Sequence, residues 1–441
     1  MIDVAGRAGA LWRELRTRPA TTLDRNIRNL YVETFWAGFC NATGAFNAVY
    51  AIRLGASNEA VALLTSVPAL IAVLLTIPAG RLFARRARHL PLVVRLLFLN
   101  RVFTVMTVLV PWLLHVNQGT ALVCLLVLAS APAQVFSVGW SSLLGDLIPP
   151  VRRARVVAVR SILVSLSTMA GIFIAGLWLG VVPFPANYQW LYAASFVIAL
   201  YSLSLIMRLE PPERTPALPS TAPPLDLRLL RLRLGDVLRR RRDFVRMVAN
   251  TTALSLGLWL VSPLYALYFV RQLGASDSWI GLSATLATMT SVLGYYLWQQ
   301  AIDRWGEKRV LKWTAGMMGL YPLLVGLSSQ LAPILLWTAL QGMVTAGLSL
   351  SQFGMLMSVC PEGRRPEFLA IYMTITNLGA FAIPLLGVAL AGPLGLAPVI
   401  TLGGLLSLVG ALSFRIWALQ APDTLDARRA LSLPTPDLHH R

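Results

Sequence analysis

The sequence predicts an all-α membrane protein: twelve transmembrane helices in two six-helix bundles, with both termini cytoplasmic. Three observations predict it. Hydrophobic residues fill 56% of the 441 positions and charged residues only 13%, about half the charged share of an ordinary soluble chain. The apolar residues gather into long runs of membrane-spanning length. The basic residues collect between those runs, on one side. A soluble chain could not bury this much apolar surface at a mean hydropathy of +0.66, so the solvent is lipid. A soluble enzyme, a disordered chain and a disulfide scaffold are excluded.

A spanning helix needs about 20 mostly apolar residues. Such runs fall near 30–52, 59–82, 91–115, 120–145, 156–181 and 188–207, then 245–270, 278–301, 309–328, 332–358, 367–391 and 395–417. The domain reading follows: a cytoplasmic arm (1–28), a first bundle (29–209), a linker (210–242), a second bundle (243–418) and a cytoplasmic tail (419–441). The arm carries Arg7, Arg13, Arg16, Arg18, Arg25 and Arg28 with no short apolar core, and so is no signal peptide. The linker opens Pro-rich, then sets Leu229, Leu230, Leu232 and Leu234 among Arg228, Arg231 and Arg233. That second part reads as amphipathic, suited to an anionic membrane surface, or as a solvated connector.

Orientation follows from the positive-inside rule. Arginines crowd the arm, the 2–3 loop (Arg85, Arg86, Arg88), the 4–5 loop (Arg152, Arg153, Arg155) and the linker (Arg239 to Arg242). They recur in the 8–9 loop (Arg304, Lys308, Arg309), the 10–11 loop (Arg364, Arg365) and the tail, whereas the opposite side offers Arg53 and Arg271. The net charge of +19 is therefore topological, and nucleic acid is not an expected partner. Cys40, Cys124 and Cys360 lie far apart, without metal or disulfide spacing; each is expected to be a small buried hydrophobe.

The chain repeats itself. Leu54-Gly55-Ala56-Ser57 follows span 1 and returns as Leu273-Gly274-Ala275-Ser276 after span 7, and the same offset carries Gly80–Arg88 onto Gln299–Glu307 without a gap. Pro150-Val151-Arg152-Arg153 before span 5 echoes Glu362-Gly363-Arg364-Arg365 before span 11. Two six-helix halves in parallel repeat are a transporter design. With these features the chain resembles the major facilitator superfamily over almost its whole length. The family's loop signature is Gly, three residues, Asp, Arg/Lys, one residue, Gly, then basic residues. Its second copy here has Asp303, Arg304, Gly306 and Lys308, with Gln299 for the leading Gly; its first keeps Gly80, Arg85 and Arg88 but has Ala84 and Ala87 for the Asp and the second Gly. The resemblance implies that these residues latch a cytoplasmic gate, to which Asp146 and Arg155 are added at the ends of spans 4 and 5.

The resemblance also implies that spans 1, 4, 7 and 10 line a central cavity. Residues three, four or seven apart share a helix face, and polar side chains in hydrocarbon normally face a cavity or another helix. The candidate cavity set is Asn41 and Asn47 on span 1, Gln134 and Ser141 on span 4, Trp259 and Tyr265 on span 7, and Gln341 and Gln352 on span 10, with Asn377 on span 11. The alternative for each is interhelical hydrogen bonding. Glu33 is the one carboxylate clearly within a span; it is either a proton carrier or an ion-pair partner for an arginine. Arg101 falls some 11 residues into span 3, about 16 Å along a helix, and either recognises an anion or snorkels inward. Gly171, Ala175, Gly176 and Gly180 on span 5 suit close helix contact. Span 5 lacks the family's antiporter Gly-Pro pair, which argues against a typical drug/proton antiporter.

No phosphate-binding lysine loop appears and the four histidines form no metal pattern, so an enzyme, a cofactor and a metal are not expected. The expected function is secondary active transport of a small organic solute by alternating access. The alternatives are a proton-coupled exporter of amphipathic drugs or lipids, and a non-transporting sensor. The expected partners are the substrate, the bilayer and a coupling proton. The chain is expected to be monomeric in a cell membrane, most simply a bacterial inner membrane.

Overall fold

The computed structural model describes residues 21–211, 242–361 and 364–417. The first twenty residues of the expected arm, the amphipathic part of the linker and the expected tail lie outside the described residues. Every regular element among the described residues is helical.

The helices are α1 (Thr22–Ala42), α2 (Asn47–Arg53), α3 (Asn58–Ala84), α4 (Leu90–Met106), α5 (Val110–Leu113), α6 (Gln118–Leu147), α7 (Pro150–Val181) and α8 (Ala186–Met207). After the linker come α9 (Arg242–Val261), α10 (Leu264–Leu267), α11 (Asp277–Trp305), α12 (Glu307–Leu327), α13 (Leu331–Val359), α14 (Arg365–Leu394) and α15 (Leu396–Ile416). Ten helices among the described residues are long and apolar enough to cross a membrane. The runs at 30–52 and 91–115 are the two expected spans outside that number, for physical reasons. α1 carries Asp24, Arg25, Arg28 and Glu33 and gives way to a 3-10 turn at Thr43–Phe46 before α2. α4 is only 17 residues long and is followed by the short α5.

Local chemistry fixes the ends. The Thr21 hydroxyl accepts from the Asp24 amide at 3.1 Å and caps α1. Asp24 also takes Arg152 at 3.0 Å, and the Thr21 hydroxyl and that guanidinium hold its carboxyl below the usual carboxylate range. The repeated Leu-Gly-Ala-Ser run is a helix stop. Gly55 and Gly274 sit at φ +81° and +66°, the left-handed region glycine tolerates. The Ala56 amide then closes back on the Ala51 carbonyl at 2.9 Å and Ala275 on Phe269 at 2.8 Å.

The chain divides into two compact units. The first comprises residues 1–57, 74–220 and 277–282; the second comprises 58–73, 221–276 and 283–441. In the first, α1 packs along α7 and α8, and α4 along α6 and α8. Its core joins Leu30, Phe83, Val93, Leu143, Val156 and Ile206, and Tyr50 stacks on Tyr188 with ring centroids 4.4 Å apart. In the second, α15 packs along α12 and α9, α13 along α12, and α14 along α9. Phe244, Met247, Leu311, Met355 and Phe368 form its core.

Small residues set the closest approaches. A Cβ on Gly171 would meet Ala42 at 2.8 Å, and one on Gly176 would meet the Gly281 Cα at 2.9 Å. The span 5 glycines therefore face α1 and the start of α11. Trp112, Trp190, Leu128 and Val197 are more than half exposed, which lipid satisfies and water would not. Cys40 and Cys360 are buried, but Cys124 is exposed. It lies four residues before Leu128 on the outward face of α6, so the expectation of three buried cysteines is corrected there.

Candidate functional site

Within the first unit, α1, α4, α6 and α7 line a cavity of about 310 Å³. Three charged side chains line it: Glu33, Arg101 and Arg160. Glu33 is buried, and its carboxylate accepts from the Thr34 hydroxyl and the Ser202 hydroxyl at 3.2 Å each. The Arg160 guanidinium stands 3.7 Å from Glu33, donates through Nε to Thr34 Oγ1 at 2.8 Å, and lies 5.2 Å from the centre of the Trp140 ring. Trp140 stacks on Phe136 at 5.7 Å between centroids. Arg101 supplies the third charge; its Nε is sealed from solvent and donates to no acceptor. The site thus combines an ion pair, a second guanidinium and an aromatic face in one cavity.

The expected cavity residues take different places. Asn41 is on the cavity wall. Asn47 accepts from the hydroxyl of buried Tyr192. Gln134 donates to Thr76 at 3.0 Å, and the Ser141 hydroxyl turns back to its own helix at the Ser137 carbonyl. In the second unit Trp259 lies against Gly379, where a Cβ would come within 2.1 Å of its ring. Tyr265 packs against Tyr321 at 5.2 Å, and Gln352 donates to Thr251 at 3.0 Å. Asn377 donates back to its own helix at the Met373 carbonyl, and Gln341 is half-buried on α13.

The expected gate residues lie at helix ends. Gly80 is near the end of α3, with open space beside its Cα; Arg85 and Arg88 follow it, exposed. Asp146 sits 3.8 Å from His89, an ion pair when the imidazole is protonated, and the other nitrogen of His89 meets the Phe83 carbonyl at 2.9 Å. Arg155 is exposed near the start of α7. Asp303 and Arg304 are exposed at the end of α11, and Lys308 is half-buried at the start of α12. Between these helices Gly306 turns the chain at φ +80°, a conformation that explains a glycine at this motif position. Its neighbour Glu307 lies against α13 at Gly354, which has no side chain to obstruct it.

Sequence reasoning singled out Glu33 and Arg101 but passed over Arg160, Thr34 and His89. Arg160 carried the same signal that marked Arg101, a guanidinium inside an apolar run.

The profile of the Major Facilitator Superfamily matches residues 34–249 and again 247–433. The chain belongs to this family of membrane transporters, and no catalytic family is indicated. Among its relatives is the multidrug resistance protein MdtG of Proteus mirabilis (strain HI4320), 28% identical over 148 residues, which are 32% of this chain and 36% of that protein. MdtG of Salmonella paratyphi C (strain RKS4594) is 31% identical over 145 residues, 32% of this chain and 35% of that protein. The chain thus matches about a third of the length of these relatives. A POT family transporter solved with a thioalcohol-conjugated peptide superposes with a TM-score of 0.66 at 14% identity, covering 90% of this chain and 96% of the other. A D-xylose-proton symporter gives 0.63 at 15% identity, covering 91% and 98%. Likenesses at such identities speak for the fold.

Proposed function

We propose that the chain is a secondary active transporter that moves a small organic solute by alternating access between two six-helix bundles, 29–209 and 243–418. The observation that carries this reading is the polar cavity of the first unit. Glu33, Arg101 and Arg160 are brought together among helices whose outer faces are apolar. Ionisable groups in such a place mark substrate or ion pathways. Twelve spans, cytoplasmic termini and a monomer in a bacterial inner membrane belong to the same proposal. So does a cytoplasmic latch formed from the loop residues around Asp146 and around Asp303–Lys308.

A second reading, export of amphipathic compounds, draws on the MdtG relatives and on the Phe136–Trp140 face of the cavity. One experiment serves both. The purified full chain is screened for ligands by thermal shift, since a ligand that binds only the folded state raises its stability. Each hit is then tested for uptake or extrusion in proteoliposomes. Flux above protein-free vesicles is the expected result. Ligands that bind without any flux in either direction would overturn transport.

A further inference from the structure

We infer that the cavity of the first unit is an oxyanion site: it receives the carboxylate or phosphate of a small organic anion on Arg101, with the ligand's flat apolar body against Phe136 and Trp140. The inference rests on the carrier reading and narrows its substrate class.

The argument begins with charge. The charged residues lining the cavity are two guanidiniums and one carboxylate, so the lining carries one positive charge in excess. Arg160 already has its neighbours, with Nε on Thr34, a terminal nitrogen beside Glu33 and its flat face on Trp140. Arg101 is placed differently. It lines the cavity from α4, one turn beyond Leu97. Its Nε is buried without an acceptor. A guanidinium offers five donors in a rigid fork and cannot shed its proton, so this arrangement is complete only when an acceptor enters. A planar oxyanion matches that fork in two parallel bonds.

Size and shape narrow the class. The cavity lies near the small end of the range for ligand pockets, about 300–1,000 Å³. Phe136 and Trp140, stacked on each other with ring planes 19° apart, give the wall built by α6 its aromatic character. Asn41 and Thr34 supply the remaining polar contacts on α1. A lipophilic cation would meet the excess positive charge and be disfavoured.

The test is ligand binding by isothermal titration to the purified full chain, using benzoate, phenyl phosphate, neutral benzamide and tetraphenylphosphonium. The expected result for the native chain is at least about tenfold preference for an anion over benzamide. Benzoate above phenyl phosphate assigns a carboxylate substrate, and the reverse order a phosphate ester. Arg101→Gln is expected to erase that preference, and Arg101→Lys to keep part of it. Equal binding of benzoate and benzamide to the native chain overturns the inference. So does preference for the cation, or the absence of anion binding up to about 10 mM; none of these three touches the carrier reading. Saturable anion binding with no anion flux in proteoliposomes would leave the site standing and overturn the carrier reading instead. The comparison on the native chain decides the matter even should the glutamine variant fail to fold.

Discussion

Arg53 and Asp277, 224 positions apart in sequence, meet in the first compact unit: Nη2 of the arginine lies 3.3 Å from Oδ1 of the aspartate, and Nε lies at 3.4 Å. Arg53 ends α2, and Asp277 is the first residue of α11. A similar pair lies in the second unit, where Arg271, one position before the repeat equivalent of Arg53, donates to Asn58, the first residue of α3. Asn58 and Asp277 occupy equivalent positions in the two repeats.

The Arg53–Asp277 pair is partly exposed at the arginine, so its contribution to stability is at most about 1 kcal/mol. Its value to the proposed cycle can be tested apart from stability. Arg53→Asp is expected to reduce proteoliposome uptake severalfold with little loss of melting temperature, and Asp277→Arg in the same chain to restore it. An unrescued double variant would remove the pair from the mechanism.

Glu33→Gln keeps the shape of the side chain and removes the charge beside Arg160. A buried guanidinium stripped of its carboxylate costs about 3 kcal/mol, so the melting temperature should fall. Uptake driven by an imposed pH gradient should be lost while downhill exchange of substrate persists. A full response to the gradient in this variant would rule out Glu33 as the proton carrier.

Gly281→Leu tests the contact of α7 with the start of α11. The Gly176 Cα would lie 2.6 Å from a Cβ at position 281, and neither helix has a flexible side chain there to give way. Overpacking of this kind costs about 1–3 kcal/mol. A lower melting temperature and reduced transport are expected, with Gly281→Ala intermediate; native behaviour of the leucine variant would show that the helices are not held this close.

Gln352→Ala is expected to lower stability by about 1 kcal/mol, because the amide bonds Thr251 on a neighbouring helix. Gln341→Ala should be nearly silent in a thermal melt. A ligand whose affinity falls in the Gln352 variant while its melting temperature holds would return Gln352 to the substrate wall.

Hydropathy located the long helices because lipid imposes a minimum apolar length on a span. It could not show the break at Thr43–Phe46, which depends on how α1 and α2 pack, nor that α4 would close after 17 residues. The Leu-Gly-Ala-Ser repeat was legible as a repeat, and its meaning as a glycine helix stop came from the backbone. At the site, Glu33 stood out as a lone carboxylate. Its partner was hidden, because α1 and α7 are joined by packing and not by spacing. The polar stripes were ambiguous for the same reason. Asn41 reached a cavity, whereas Asn47 and Gln352 found other helices, and periodicity alone does not distinguish these outcomes.

The pairing of α1 with α7 also has a consequence for synthesis. α1 carries four charged residues between Asp24 and Glu33, so it partitions poorly into lipid by itself. The arginine that bonds Thr34 and stands beside Glu33 follows 126 residues later. At ordinary ribosomal speed that interval is about 6 to 25 s. For that time α1 is without the guanidinium that stands beside Glu33, and its packing is completed only when α7 arrives.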